Sequence, residues 1–172
     1  MSMQIARASD ARRVREIGVR SYRDHFAALW SAGELDAWLD EEFAVASVAA
    51  DIEYERATYV LWHEHPEDVG YAKLRWSRPA PVGGERGAEL QKIYFLAGST
   101  RHGRGTRLIE ACLGLARDRG EPQVWLEVLD DNVRAQALYE RTGFARVGEH
   151  EVERGGRRWR RVVMQHPFTI SG

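Results

Sequence analysis

The sequence predicts a mixed α/β chain with an antiparallel beginning and a strand-helix-strand middle. Three observations predict it. Apolar residues repeat at helical spacing in several stretches. Runs rich in β-branched and aromatic residues, bounded by turn formers, lie between them. The resulting order is strand, two helices, three strands, helix, strand, helix, two strands. At 172 residues the length suits one domain, spanning 1–172 and burying a single core.

The first strand is expected at Gln4 to Arg7. Ser9-Asp10 then places cap residues ahead of a helix running to about Ala28. Glu34 to Phe43 and Ala44 to Ile52 read as a second helical region in two pieces, with Leu35, Trp38, Leu39 and Phe43 on one side and acid on the other. Ala57 to Trp62 and Val69 to Trp76 form a hairpin around the turn-forming Glu64 to Asp68. Arg78 to Gly87, dense in Pro and Gly, reads as a mobile loop before the strand Glu89 to Leu96. Thr106 to Arg119 carries Leu108, Ile109, Cys112, Leu113 and Ala116 at helical spacing and stops at Gly120. Val124 to Leu129 is a strand. Asp130-Asp131-Asn132 caps a helix from Val133 to Arg141 that ends at Thr142-Gly143. Phe144 to Glu153 and Arg157 to His166 close the chain as a hairpin around Gly155-Gly156.

Composition excludes several function classes. Hydrophobic residues at 44% and charged residues at 30% are ordinary globular proportions. No apolar run reaches the ~20 residues of a membrane span. The N-terminus lacks the basic-then-apolar layout of a secretory signal, so the expected address is cytoplasmic. A lone cysteine, Cys112, excludes an internal disulfide and a cysteine zinc cluster, and among Ala111, Leu113 and Leu115 it reads as a small core residue. A formal net charge of −1 argues against general nucleic-acid affinity.

The chemistry points to the segment after the fourth strand. Ala97-Gly98-Ser99 and Thr100-Arg101-His102-Gly103-Arg104-Gly105-Thr106 lead directly into a helix. A strand, a glycine-bearing loop and a helix N-terminus aim unpaired N–H groups and the positive end of a helix dipole at one point. Gly103 and Gly105 remove side chains where backbone and phosphate must approach, while Arg101, His102 and Arg104 add positive charge, so a diphosphate fits. The Walker pattern fails for want of Gly-Lys-Ser/Thr, and the dinucleotide fingerprint fails for want of a third glycine and an early strand. Gly-x-Gly alone equally shapes a plain tight turn, so its context decides.

That context is Leu126-Glu127-Val128 followed by Asn132-Val133-Arg134-Ala135-Gln136-Ala137-Leu138-Tyr139-Glu140-Arg141-Thr142-Gly143-Phe144. Together the two segments resemble the GNAT superfamily of acyl-CoA N-acyltransferases. Its cofactor loop reads Gln/Arg-x-x-Gly-x-Gly/Ala and its next unit Asn-x-x-Ala-x-x-x-Tyr-x-x-x-Gly-Phe. The second pattern is complete here; the first departs at Thr100, with Arg101 and Arg104 near enough to substitute. The resemblance implies a mixed central sheet flanked by helices with an antiparallel C-terminal hairpin. It also implies acetyl-CoA as cosubstrate, no metal, transfer to a small-molecule or peptide amine, and a homodimer as a common assembly. Within the superfamily, Glu89 to Leu96, Gln123 to His150 and Ser21 to Phe26 look most like bacterial polyamine (spermidine/spermine) N-acetyltransferases, although the basic C-terminal hairpin departs from an amine-binding groove.

By this resemblance the backbone of Tyr94, Phe95 and Leu96 pairs with the pantetheine arm like an added strand, and Arg101 to Thr106 hold the pyrophosphate. Asn132 contacts the cofactor while capping its helix, and Tyr139 protonates the leaving sulfur. Glu89 is the first candidate for the base that deprotonates the amine, and Glu127 the second. The acidic run Glu34, Asp36, Asp40, Glu41 and Glu42 either steers a polycation or is a solvated helix face. Glu149, Glu151 and Glu153 opposite Arg158 and Arg160 read as cross-strand ion pairs, with an acidic partner or RNA gripped by Arg157 to Arg161 as the other reading. A catalytically idle acyl-CoA-binding module is the rival to an active enzyme.

Overall fold

The computed structural model describes residues 1–99, 103–154 and 156–169. Among them lie strands β1 (Ser2–Ile5), β2 (Ala57–Glu64), β3 (Glu67–Pro79), β4 (Arg86–Phe95), β5 (Gln123–Leu129), β6 (Ala145–Arg154) and β7 (Arg157–Pro167). The helices are α1 (Ala11–Phe26), α2 (Ala32–Glu42), α3 (Val45–Glu53), α4 (Arg104–Asp118) and α5 (Val133–Arg141), with short 3₁₀ turns at Ala8–Asp10 and Ala27–Leu29. The strands are hydrogen-bonded in the order β1-β2-β3-β4-β5-β7-β6. Two compact units divide the chain: Met1–Leu74 with Lys92–Arg104, and Arg75–Gln91 with Gly105–Gly172.

In the first unit, β1 pairs antiparallel with β2, Ser2 opposite His63 and Ile5 opposite Val60. The strand lies two residues earlier than the sequence predicts. Arg7 turns its N–H to the Asp10 carboxylate at 2.9 Å instead of to a neighbouring strand. That bond, reinforced by Arg13 at 3.0 Å, holds the Asp10 carboxyl below its usual range. Asp10 therefore ties down the entry to α1 and makes no side-chain cap of it. Helix α1 buries Ala11, Val14, Ile17, Gly18 and Ser21 and packs against α3. Gly18 has a packing reason: a Cβ there would lie 2.3 Å from Cε1 of the buried Phe43. The two-piece helical region is present as α2 and α3, with Leu35, Leu39 and Phe43 buried. Strands β2 and β3 are joined by two residues, a return only an antiparallel pair permits. Tyr59, Val60, Leu61 and Trp62 are all buried, the signature of a strand covered on both faces.

In the second unit, β4 and β5 run parallel, Ala88 beside Val124 and Glu89 beside Trp125. Strand β7 is antiparallel to both β5 and β6, with a register irregularity between Arg146 and Gly148. The loop expected at 78–87 is shorter, because β3 continues to Pro79 and β4 starts at Arg86. It is also fastened. Ala80 donates its N–H to the Glu85 carbonyl at 3.0 Å, the Trp125 indole donates to the Arg78 carbonyl at 3.0 Å, and Val82 packs on Gly148, where a Cβ would lie 2.9 Å from its Cγ1. Helix α4 buries Leu108, Ile109, Cys112, Leu113 and Ala116, the stripe the sequence predicts, and ends before Gly120 at φ +81°. A 420 Å³ cavity of this unit lies at the end of β5 and is lined by Leu129, Asp130, Asp131, Glu151, Arg158, Trp159 and Arg160. No helix among the described residues is long and apolar enough to cross a membrane.

Candidate active site

Of the proposed anion-binding segment, Thr100, Arg101 and His102 lie outside the described residues. Gly103 has φ +70°, a left-handed conformation that favours glycine, with no described atom within 4 Å of where a Cβ would stand. Helix α4 starts at Arg104, two residues before the expected Thr106, so Arg104, Gly105 and Thr106 are its first residues, whose N–H groups have no partner within the helix. The Arg104 side chain is engaged elsewhere in its unit. Nε and Nη2 bond both oxygens of Glu64 at 2.8 and 2.7 Å, and Nη1 bonds the Ser99 carbonyl at 3.0 Å. With the Trp62 indole also donating at 3.0 Å, the Glu64 carboxyl is held below its usual range. A fork closed on a carboxylate leaves Arg104 no free charge to replace what Thr100 lacks. Gly105 has a packing partner, since a Cβ there would meet Leu138 of α5 at 3.0 Å. Changing Gly103 to alanine is expected to cost about 1–2 kcal/mol through the left-handed backbone alone. Thermal or denaturant unfolding checks the cost.

At the end of β4, the side chains of Phe95 and Leu96 are buried and that of Tyr94 packs edge-on against Phe26, ring centroids 5.6 Å apart. Part of their backbone is already engaged. Leu96 donates its N–H to the Val69 carbonyl at 2.9 Å, and the Phe95 carbonyl accepts from Nε2 of His25 at 2.8 Å. Just beyond, Asp24 accepts the Ala97 N–H at 2.9 Å. The expected pairing of 94–96 with a ligand arm is therefore narrowed to the other main-chain groups. Neither Asp24 nor His25 had a role in the sequence reading beyond the likeness of the segment around them.

In the second unit, Asn132 opens α5, its side-chain oxygen accepting the Ala135 N–H at 3.1 Å, so the capping role is present and the amide NH₂ faces no described partner. Tyr139 is the buried residue of α5, its ring 5.9 Å from that of Phe144. Of the candidate bases, Glu89 stands 3.3 Å from Arg75. Glu127 is also occupied: Oε1 meets Nε2 of His150 and Oε2 accepts from Arg161 at 2.9 Å. His150 and Arg161 lie 23 and 34 residues from Glu127. Only the strand register, which no local motif states, joins them.

The remaining features fall to structure. Asp36, Asp40 and Glu42 pair with Arg23, Arg15 and Lys92 at 2.6, 2.5 and 2.8 Å, so much of the acidic run is balanced within its own unit. Glu153 pairs with Arg158 at 3.2 Å and Glu149 with Arg160 at 4.0 Å, as the alternation predicts. Among the described residues no group of His, Cys, Asp and Glu is placed to hold a metal ion. Cys112 is fully buried, and burial pushes its thiol up to about 12. A raised acid pKa means stability is complete below the unfolded thiol's value near 8.5 and is lost as pH rises from there toward 12. Thiol reagents at about pH 8 are expected to label native Cys112 only through opening of the fold; labelling as fast as in denaturant would contradict this burial.

The strand order, the turn into α4 and the capped α5 define an acyltransferase-type α/β fold. The family model described as Acetyltransferase (GNAT) family matches residues 11–144, and the chain belongs to that family. It is 41% identical over 76 residues to an uncharacterised N-acetyltransferase of Mycobacterium tuberculosis, a match covering 44% of this chain and 45% of that protein. Among solved structures it resembles the PaiA N-acetyltransferase of Thermoplasma acidophilum in complex with coenzyme A. The TM-score is 0.74 at 16% identity, covering 98% of this chain and 100% of that one. It also resembles YncA, a putative acetyltransferase from Salmonella typhimurium with its cofactor acetyl-CoA. There the TM-score is 0.74 at 20% identity, covering 100% of this chain and 96% of that one.

Proposed function

We propose that this chain transfers acetyl from acetyl-CoA directly to a primary amine. The observation that carries the reading is the junction at 103–106: a left-handed Gly103 followed at once by a helix whose leading N–H groups have no partner within it. Such a junction suits the pyrophosphate of coenzyme A, with the Arg104 main chain, not its guanidinium, as a donor. Asn132 keeps its amide NH₂ for the cofactor while its oxygen caps α5. Tyr139 supplies the proton that the departing thiolate needs.

A polyamine is the acceptor we put first, on the likeness of the segments around Ser21, Glu89 and Gln123 to polyamine N-acetyltransferases. The internal pairing of Asp36, Asp40 and Glu42 weakens the case for long-range steering of such a cation. A peptide N-terminus or another small amine is the second reading. The test is acetyl-CoA turnover, followed as free thiol, against spermidine, spermine, N-terminal peptides and aminoglycosides. Amine-dependent release is expected. Cofactor binding without release for any amine would overturn transfer in favour of an idle binding module.

A further inference from the structure

The cluster of Glu127, His150 and Arg161 is built by three strands. Side chains alternate along a strand, so Trp125 and Glu127 of β5 share one face. The β7 residues opposite them, Gln165 and Val163, lie on that face, as does Arg161. Strand β6 adds Gly148 opposite Val163 and His150 opposite Arg161. Both oxygens of Glu127 are engaged, one by His150 Nε2 and one by Arg161 Nη1. His150 and Glu127 are 29% and 19% exposed, so the ring is reachable while its anchor is largely covered.

A carboxylate at neutral pH only accepts hydrogen bonds, so the hydrogen between Glu127 and His150 belongs to Nε2. The neutral ring then presents its other nitrogen, Nδ1, as a lone pair, and no described residue bonds it. Among the described residues, the charged groups bonded to or paired opposite His150 are Glu127 from β5 and Arg161 from β7. Its same-face neighbours two residues away on β6, Gly148 and Val152, carry no charge, and Val82 packs on Gly148. Of the carboxylates first considered as the base, Glu127 is engaged at both oxygens and Glu89 faces Arg75 through one.

We propose that His150, held in the Nε2–H form by Glu127, takes the proton from the acceptor amine in the transfer described above, on which this assignment rests. Glu127 and Arg161 are positioning residues. The acceptor arrives as an ammonium with three hydrogens. One passes to Nδ1 of His150 and on to water, freeing the nitrogen lone pair. That pair forms the C–N bond at the thioester carbonyl, and the C–S bond breaks with its electrons leaving on sulfur. The thiolate takes a proton from Tyr139, which regains one from the nitrogen as the amide forms. One hydrogen stays on the amide, one has reached sulfur and one has left through His150.

The first test is nitrogen-15 NMR of the neutral His150 ring. The Nε2–H form is expected in the wild type, with that preference weakened in Glu127→Gln; an Nδ1–H form in the wild type overturns the proposal. The second is the pH profile of thiol release for His150→Gln on whichever panel amine drives turnover. kcat/KM is expected to fall about a hundredfold near neutral pH, with the deficit shrinking as rising pH deprotonates the amine unaided. A deficit constant with pH, or none, overturns the role of His150 while leaving acetyl transfer standing. Release with no amine at all overturns the transfer reading and this assignment with it.

Discussion

Phenylalanine at Tyr139 is expected to lower kcat for thiol release a hundredfold or more, the usual worth of a positioned general acid. The substitution removes one oxygen. The ring of residue 139 keeps its packing against Phe144, so the fold and the cap at Asn132 are expected to survive. Cofactor affinity should change little, because the junction at 103–106 is untouched. Steady-state turnover with acetyl-CoA and a working acceptor, alongside a binding titration, separates the two effects. A kcat within twofold of wild type, with cofactor still bound, would remove Tyr139 from the proton path.

The largest effect on stability is expected at Phe43. This ring is 1% exposed, lies over Gly18 and meets the rings of Trp38 and Tyr71 with centroids 6.4 and 6.2 Å away. Cutting it to alanine removes a large aromatic from a closed core, a loss of about 3–5 kcal/mol. Gly18→Ala approaches the same contact from the other side and forces the ring to move, at about 1–3 kcal/mol. The double variant is expected to lose less than the sum, because the added methyl enters space the ring has vacated. Equilibrium unfolding of the four proteins measures this coupling. Strict additivity would mean that the contact between residues 18 and 43 does not organise this part of the core.

Much of this architecture is legible from local pattern. The stripe Leu108, Ile109, Cys112, Leu113 and Ala116 gives α4, and the cap at Asn132 with the stop at Gly143 gives α5 with its bounds. What local pattern does not carry is pairing between distant residues. The strand near the N-terminus is misplaced because Asp10 draws Arg7 out of the ladder, a contact that hydrophobicity does not report. The 78–87 stretch looks mobile by composition, yet the prolines sit where β3 ends and the loop is fastened by Trp125 and Gly148. At the site, residue type pointed to Arg104 as a free cation, and its partner Glu64 stands 40 residues away. Glu127 was legible as a candidate, whereas its link to His150 and Arg161 is a consequence of register across three strands.

The end of β4 is held by the last turn of α1, through His25 to Phe95 and Asp24 to Ala97, across 70 and 73 residues of chain. Contacts of such separation close large loops, and that entropy has to be met before they form. Both anchoring side chains are exposed, so water competes for each bond. During folding these two ties belong among the late events, after α1 and the β2–β3 hairpin exist. In the folded protein they belong among the early ones to open, which makes Ala97, whose N–H Asp24 holds, a place where amide hydrogen exchange outpaces that of the buried strand β2.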